Sequence, residues 1–309
     1  MQKYKLTDKT IEVYGRTLHQ IVCVTAFAGI AAGEVGGYIE QEANLSQDGD
    51  AWVYGKACVY GKACVSGKAC VSGEARVSGE ACVYGEACVS GEACVYGKAC
   101  VYGKACVSGE ACVSGEACVY GKACVYGKAR VSGEARVYGE ACVSGEACVY
   151  GKACVYGKAC VYGEACVSGE ACVYGKACVS GEACVSGKAC VSGEACVSGE
   201  ARVSGEACVY GKACVYGNSI LRRGDTESAT DCVVIGPQGS RCSFATFQIP
   251  SNTICTGCFV GTLDDFKAKV AREYNPDCCD SCKIYNEQYQ RVIQVFEFYA
   301  KDREDKNAE

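Results

Sequence analysis

The chain has 309 residues, 50% of them hydrophobic, with 39 glycines, 3 prolines, 31 cysteines and a net charge of -5. Lysine and glutamate are interleaved, so no basic stripe of the kind that grips nucleic acid is present. The longest apolar run, Ile21 to Ala32, is too short to span a bilayer, and the charged start, Met1 to Lys9, does not resemble a signal peptide.

Residues 1–50 read as alternating strands leading to the bulky Trp52, and are expected to form an N-terminal β cap. Residues 51–218 are 28 uninterrupted six-residue units of the form Ala-Cys-Val-(Tyr/Ser)-Gly-(Lys/Glu), as in Ala57–Lys62 and Ala111–Glu116. Ala and Val stand two apart, so in an extended segment both point to one face and Cys to the other. The Tyr/Ser, Gly and Lys/Glu positions then make a corner, with Gly supplying the backbone freedom. One such strand cannot bury its own face, but stacked coils build a continuous Ala/Val core. The expected fold is all-β: a single-stranded β-solenoid with an N-terminal cap and a small α+β C-terminal domain. Two or three units per coil are both compatible with the pattern, because the Tyr/Ser column repeats equally well at either lag. Handedness is not readable from it.

Residues 219–309 carry the C-terminal domain. Cys232–Ile235 and Ser243–Ile249 read as strands, followed by two helices. The first opens on a capping-box-like Thr262-Leu-Asp-Asp265 and buries Leu263, Phe266 and Val270. The second is expected from about Asn286 to Ala300, with Tyr289, Val292, Ile293 and Phe296 as its apolar stripe, and a charged, frayed tail from Lys301.

Variation among the repeats points to their origin. Tyr accompanies Lys in 10 of the 12 Lys units, and Ser accompanies Glu in 12 of the 15 Glu units. Such linkage is what copying of whole repeat blocks leaves behind.

Ala32-Gly-Glu-Val-Gly-Gly-Tyr-Ile-Glu40, the stretch Glu42 to Gly55, and the C-terminal Ile235-Gly-Pro-Gln-Gly-Ser-Arg241 and Gly257-Cys-Phe-Val-Gly-Thr-Leu263 resemble YdcK-like hexapeptide-repeat proteins of phages and prophages. The resemblance covers most of the chain. It implies a left-handed β-helix of the LpxA-like superfamily and little about activity. The sequence departs from that family in its near-perfect repeats and in Cys where Arg is usual.

Hexapeptide-repeat acyltransferases share this fold class and use a histidine base beside a pocket shaped by loop insertions. Here the only histidine is His19, outside the repeats, and no unit carries an insertion. An enzyme is therefore the least favoured reading. The favoured one is a non-enzymatic structural or interaction protein, phage or prophage encoded. A thiol-rich metal-binding or sequestering protein is the alternative, because files of outward thiols could hold soft cations.

Cys255-x2-Cys258 and Cys279-x2-Cys282 have the spacing of a zinc ribbon, so these four are the candidate metal ligands and zinc the candidate cofactor. Four thiolates would leave no open position, so such a zinc would staple the domain rather than catalyse. The expected partner is an unidentified protein or a second copy joined end to end, with neither nucleic acid nor membrane. The expected location is cytoplasmic, the host cytoplasm if phage encoded, where thiols stay reduced.

Overall fold

The structure is a computed structural model that describes residues 2–222, 225–226, 231–238, 243–257 and 259–307. Three longer strands come first: β1 (Tyr4–Val13), β2 (Arg16–Cys23) and β3 (Val35–Ile39). The repeats then supply two-residue strands, one per hexad, from β4 (Trp52–Val53) to β31 (Cys214–Val215). Two more of the same length follow, β32 (Ile220–Leu221) and β33 (Asp225–Thr226). The C-terminal segment forms β34 (Cys232–Gln238), β35 (Ser243–Gln248), β36 (Thr253–Thr256), β37 (Phe259–Thr262), α1 (Leu263–Glu273) and α2 (Asp280–Asn307). The chain divides into two compact units, Met1–Gly169 and Glu170–Glu309.

In the first unit each strand pairs in parallel with the strand three units later, as in Cys88↔Cys106 and Val89↔Val107. The register advance is 18 residues, so three hexads close one coil and the unit has three parallel sheets. The sequence left two or three hexads per coil open; the strand pairing selects three. Within a hexad three backbone N–H groups donate to the next coil. Cys88 donates to the Ala105 carbonyl at 2.9 Å, Ser90 to Val107 at 2.9 Å and Glu92 to Gly109 at 2.8 Å. The alternation expected from the hexad is observed. Ala105, Val107, Ala111 and Val113 are fully buried, and the cysteines between them face outward.

The corner depends on glycine. Gly103 has a φ of +74°, and a Cβ built on it would meet the Gly121 nitrogen and oxygen at 3.0 Å. A side chain there would be strained in its own backbone and would press on the next coil.

The first coil is closed by the preceding segment. β1 and β2 form an antiparallel hairpin, β2 pairs with β3, and β3 joins β5 (Cys58–Val59) in parallel. Coil geometry thus begins at β3, before the regular repeat. The Tyr4 hydroxyl donates to the Leu45 carbonyl at 2.6 Å, and the Lys3 ammonium donates to the Ala51 carbonyl at 3.1 Å. Tyr4 and Phe27 both pack edge-on against the buried Trp52.

The second unit by itself is built on the same 18-residue register, for example Cys178↔Cys196 and Cys190↔Cys208. Its coils outlast the sequence repeat, since Ile220 and Leu221 pair with Arg202 and Val203. The sheet β34-β35-β36-β37 is antiparallel throughout. It seats on the final coil through buried polar groups. The Thr246 hydroxyl accepts from the Ile220 N–H at 2.8 Å, and the Gln248 amide donates to Thr226 at 3.1 Å. Behind the sheet, Leu263, Phe266 and Val270 of α1 and Tyr289, Val292, Ile293 and Phe296 of α2 form the expected core with Phe247 and Ile254. Thr262 and Asp265 make the expected capping box. α2 begins six residues earlier than expected and continues to Asn307 through most of the expected tail. The strands β36 and β37 were not anticipated.

Replacing Gly103 with Ala is expected to destabilise the protein by about 1–2 kcal/mol from the left-handed backbone alone. Ser108→Ala on the same part of the solenoid should stay within about 0.5 kcal/mol. Urea unfolding followed by circular dichroism checks both, and equal midpoints would remove the corner argument.

Candidate functional site

Because the coils stack in register, each outward position of the hexad becomes a column. In the first unit Cys70, Cys88, Cys106, Cys124, Cys142 and Cys160 stand in one unbroken file. A second file runs Cys64, Cys82, Cys100, Cys118, Arg136, Cys154. The third is broken by Arg76 and Arg130. No described cysteine is in a disulfide. Several thiols also reach the carbonyl two residues earlier in their own chain. Cys82 Sγ lies 3.8 Å from the Glu80 carbonyl and Cys100 Sγ lies 3.7 Å from that of Lys98, each as a weak donor.

Packing sets their chemistry. Burial pushes the thiols of Cys88, Cys100, Cys124 and Cys196 up from the usual range, and the neighbouring thiols in the file push the same way. Arg76 opposes the rise at Cys58 and Cys94. The upward shift favours the neutral thiol at Cys88, Cys100, Cys124 and Cys196, which weakens these four as nucleophiles and means a metal would have to displace their protons.

The corners build two further columns. Tyr84, Tyr102, Tyr120, Tyr138 and Tyr156 stack with ring centroids 4.8–4.9 Å apart and planes within 3°. Lysine and glutamate one coil apart pair across the stack, as in Lys98–Glu116 at 3.2 Å and Lys122–Glu140 at 3.1 Å. Glu140 also faces Lys158 at 3.7 Å, and its carboxyl is held below the usual range by these lysines. Exposed pairs of this kind add little to stability, because water screens them.

Two concavities lie on the first unit beside the N-terminal hairpin. One of about 410 Å³ is lined by Arg16, Glu40, Gln41, Lys62 and Glu80. Another of about 360 Å³ is lined by Ile11, Val13, Tyr38, Cys58 and Arg76. His19 lines neither. Its Nδ1 lies 3.2 Å from the Thr7 carbonyl within the hairpin, a structural setting.

The four candidate zinc ligands fall in different surroundings. Cys255 is buried in β36, where burial pushes its thiol up against the opposing backbone hydrogen bond from Arg222. Cys258 lies outside the described residues. Cys279 and Cys282 come together at the start of α2, their sulfurs 2.9 Å apart. The sulfur–sulfur hydrogen bond and the Cys282 backbone N–H donating to Cys279 Sγ lower the Cys279 thiol, while the same sulfur–sulfur contact pushes Cys282 up to about 11. Among the described residues no three His, Cys, Asp or Glu side chains converge on a metal-sized point. Sequence reasoning did not single out Cys232, whose thiol burial drives up to about 12.

No family model matches the chain, and a search of curated proteins gives no similar sequence. Among the described residues no helix is long and apolar enough to cross a membrane.

The raised thiols carry a sign. Folding favours their neutral form, so the stabilisation is complete below the unfolded-state pKa near 8.5 and is lost as pH rises through the higher folded values. Melting temperature should therefore fall as pH rises above about 8.5. A variant with Cys88, Cys100 and Cys124 changed to Ser should show a shallower fall. Identical slopes for the two proteins would remove the thiols from the effect.

Proposed function

We propose that the chain is a non-catalytic structural protein, a capped β-solenoid rod that holds apart or presents other components. The observation that carries this reading is the uniformity of the coils. Each hexad repeats the same three-bond backbone ladder and the same Ala/Val core, so the repeat faces are regular surfaces without an insertion to shape a pocket. A general base needs a substrate held against it. The single histidine sits in the hairpin with its ring on a backbone carbonyl and lines neither concavity.

The capped ends support a defined length. Lys3 and Tyr4 occupy carbonyls of the first coil, and Thr246 and Gln248 occupy groups of the last one. An uncapped solenoid would present open strand edges and stack with its copies. The resemblance to phage and prophage repeat proteins supports a role in a phage-encoded assembly in the host cytoplasm, with a protein as partner.

The second reading, soft-metal binding by the thiol files, is favoured by one observation: six cysteines of one face stand in unbroken register. The raised thiols count against it.

Metal content by mass spectrometry, on protein purified anaerobically under reducing conditions, tests the choice. The structural reading expects at most about one metal ion per chain, since a single structural site is the most the C-terminal cysteines provide. It also expects a variant with Cys88, Cys106 and Cys124 changed to Ser to keep its circular dichroism and its partners. Many ions per chain, lost in that variant, would overturn it in favour of metal binding.

The caps generate a further expectation. Sedimentation velocity across a dilution series should show one concentration-independent species for the native chain. Gln248→Ala combined with Thr246→Val should make sedimentation concentration-dependent, as the last coil's edge opens. A native chain that already associates end to end would count against the capped rod.

A further inference from the structure

We propose that Cys279 and Cys282 are a reversible dithiol that closes to a disulfide by exchange with a small aliphatic disulfide. The pair is brought together within one turn of chain. Its sulfurs are already 2.9 Å apart, and the Cys282 backbone N–H donates to Cys279 Sγ at 3.2 Å, which holds that sulfur over the first turn of α2. A disulfide needs about 2.05 Å between sulfurs, so closure asks for less than about 1 Å of further movement. Cys279 is exposed and Cys282 half-buried, so a dissolved reagent reaches the pair directly.

The thiol files of the solenoid are the internal contrast. Their neighbours stand on parallel strands in register, as in Cys82↔Cys100, at the ordinary strand spacing of about 4.8 Å. Parallel Cβ directions do not converge, so closing such a pair would distort a backbone fixed by the coil ladder. The files thus hold their thiols on strands whose backbone resists closure. The start of α2 has a convergent pair on a segment that no coil constrains.

The chemistry balances without a metal. Cys279 as thiolate attacks one sulfur of RS–SR, forming a Cys279–S–S–R bond and expelling RS⁻. Cys282 gives its proton to solvent and attacks the Cys279 sulfur, forming the internal disulfide and expelling the second RS⁻. Both leaving thiolates take up protons. Two protein thiols are oxidised, one small disulfide is reduced to two thiols, and excess thiol reverses the exchange.

Oxidised and reduced glutathione, titrated against the fully reduced full-length chain, provide the test. Samples are quenched in acid, alkylated, digested and mapped. Cys278, Cys279 and Cys282 share the tryptic peptide 273–283. That peptide is expected to lose two hydrogens, without a glutathione adduct, at a ratio where the repeat cysteines still alkylate. Cys278→Ser should leave the closure intact, whereas Cys282→Ser should trap glutathione on Cys279 as the main product. Circular dichroism of each variant should match the native chain, since both side chains lie outside the buried core. The proposal is overturned if the repeat cysteines oxidise first, or if Cys278→Ser abolishes the link. It is equally overturned if the purified chain holds zinc that shields Cys279 and Cys282 from oxidation until it is chelated.

Discussion

Everything in the solenoid follows from one constraint: the coil must close in 18 residues so that each hexad lies over its own copy. The closing point is the corner glycine, whose positive φ turns the chain and whose missing Cβ lets successive coils approach to contact. With the register set, three backbone hydrogen bonds per hexad repeat along the stack. Ala and Val have no choice but the interior, and Cys, Tyr/Ser and Lys/Glu have no choice but the exterior. The stacked tyrosines, the thiol files and the Lys–Glu pairs are products of that register rather than separate devices.

Perfect translation carries a liability, because its first and last coils expose edges that match each other. The non-repeating flanks answer it with polar side chains. Lys3 and Tyr4 reach carbonyls at the start, while Thr246 and Gln248 meet the last coil from the C-terminal sheet. Lys3 illustrates the cost: burial lowers its pKa, and the nearby Asp50 and Asp48 draw it back up. The flanks are where the sequence is irregular because the ends are the only places where the environment changes from coil to coil.

The same logic separates the cysteines. In the files, thiols stand beside thiols in register, and at Cys88 and Cys100 burial and the neighbouring thiols favour the neutral form. At the start of α2 the chain leaves translation symmetry, and two thiols converge on each other instead of running alongside. Reactivity in a cysteine-rich chain is set by convergence and exposure, not by number.

The hexad alone determined the solenoid, the inward Ala and Val, the outward Cys and the corner glycine, because these follow from the period-two alternation of an extended chain and from glycine's backbone. The buried stripes Leu263, Phe266, Val270 and Tyr289, Val292, Ile293, Phe296 were legible for the parallel reason that helical spacing gathers them on one face. The coil size was not legible. Tyrosines recur every 18 residues from Tyr84 to Tyr174, but also every 12 from Tyr126 to Tyr174, so the pattern fits both closures. The angle turned at each corner decides between them, and that angle is a property of the stacked backbone. Nor could spacing place the C-terminal cysteines: α2 starts at Asp280 rather than near Asn286, which puts Cys279 and Cys282 on one turn and leaves Cys255 inside a strand. Residue type named the candidates, and only the tertiary structure decided which of them meet, since contact depends on where each element begins and what packs behind it.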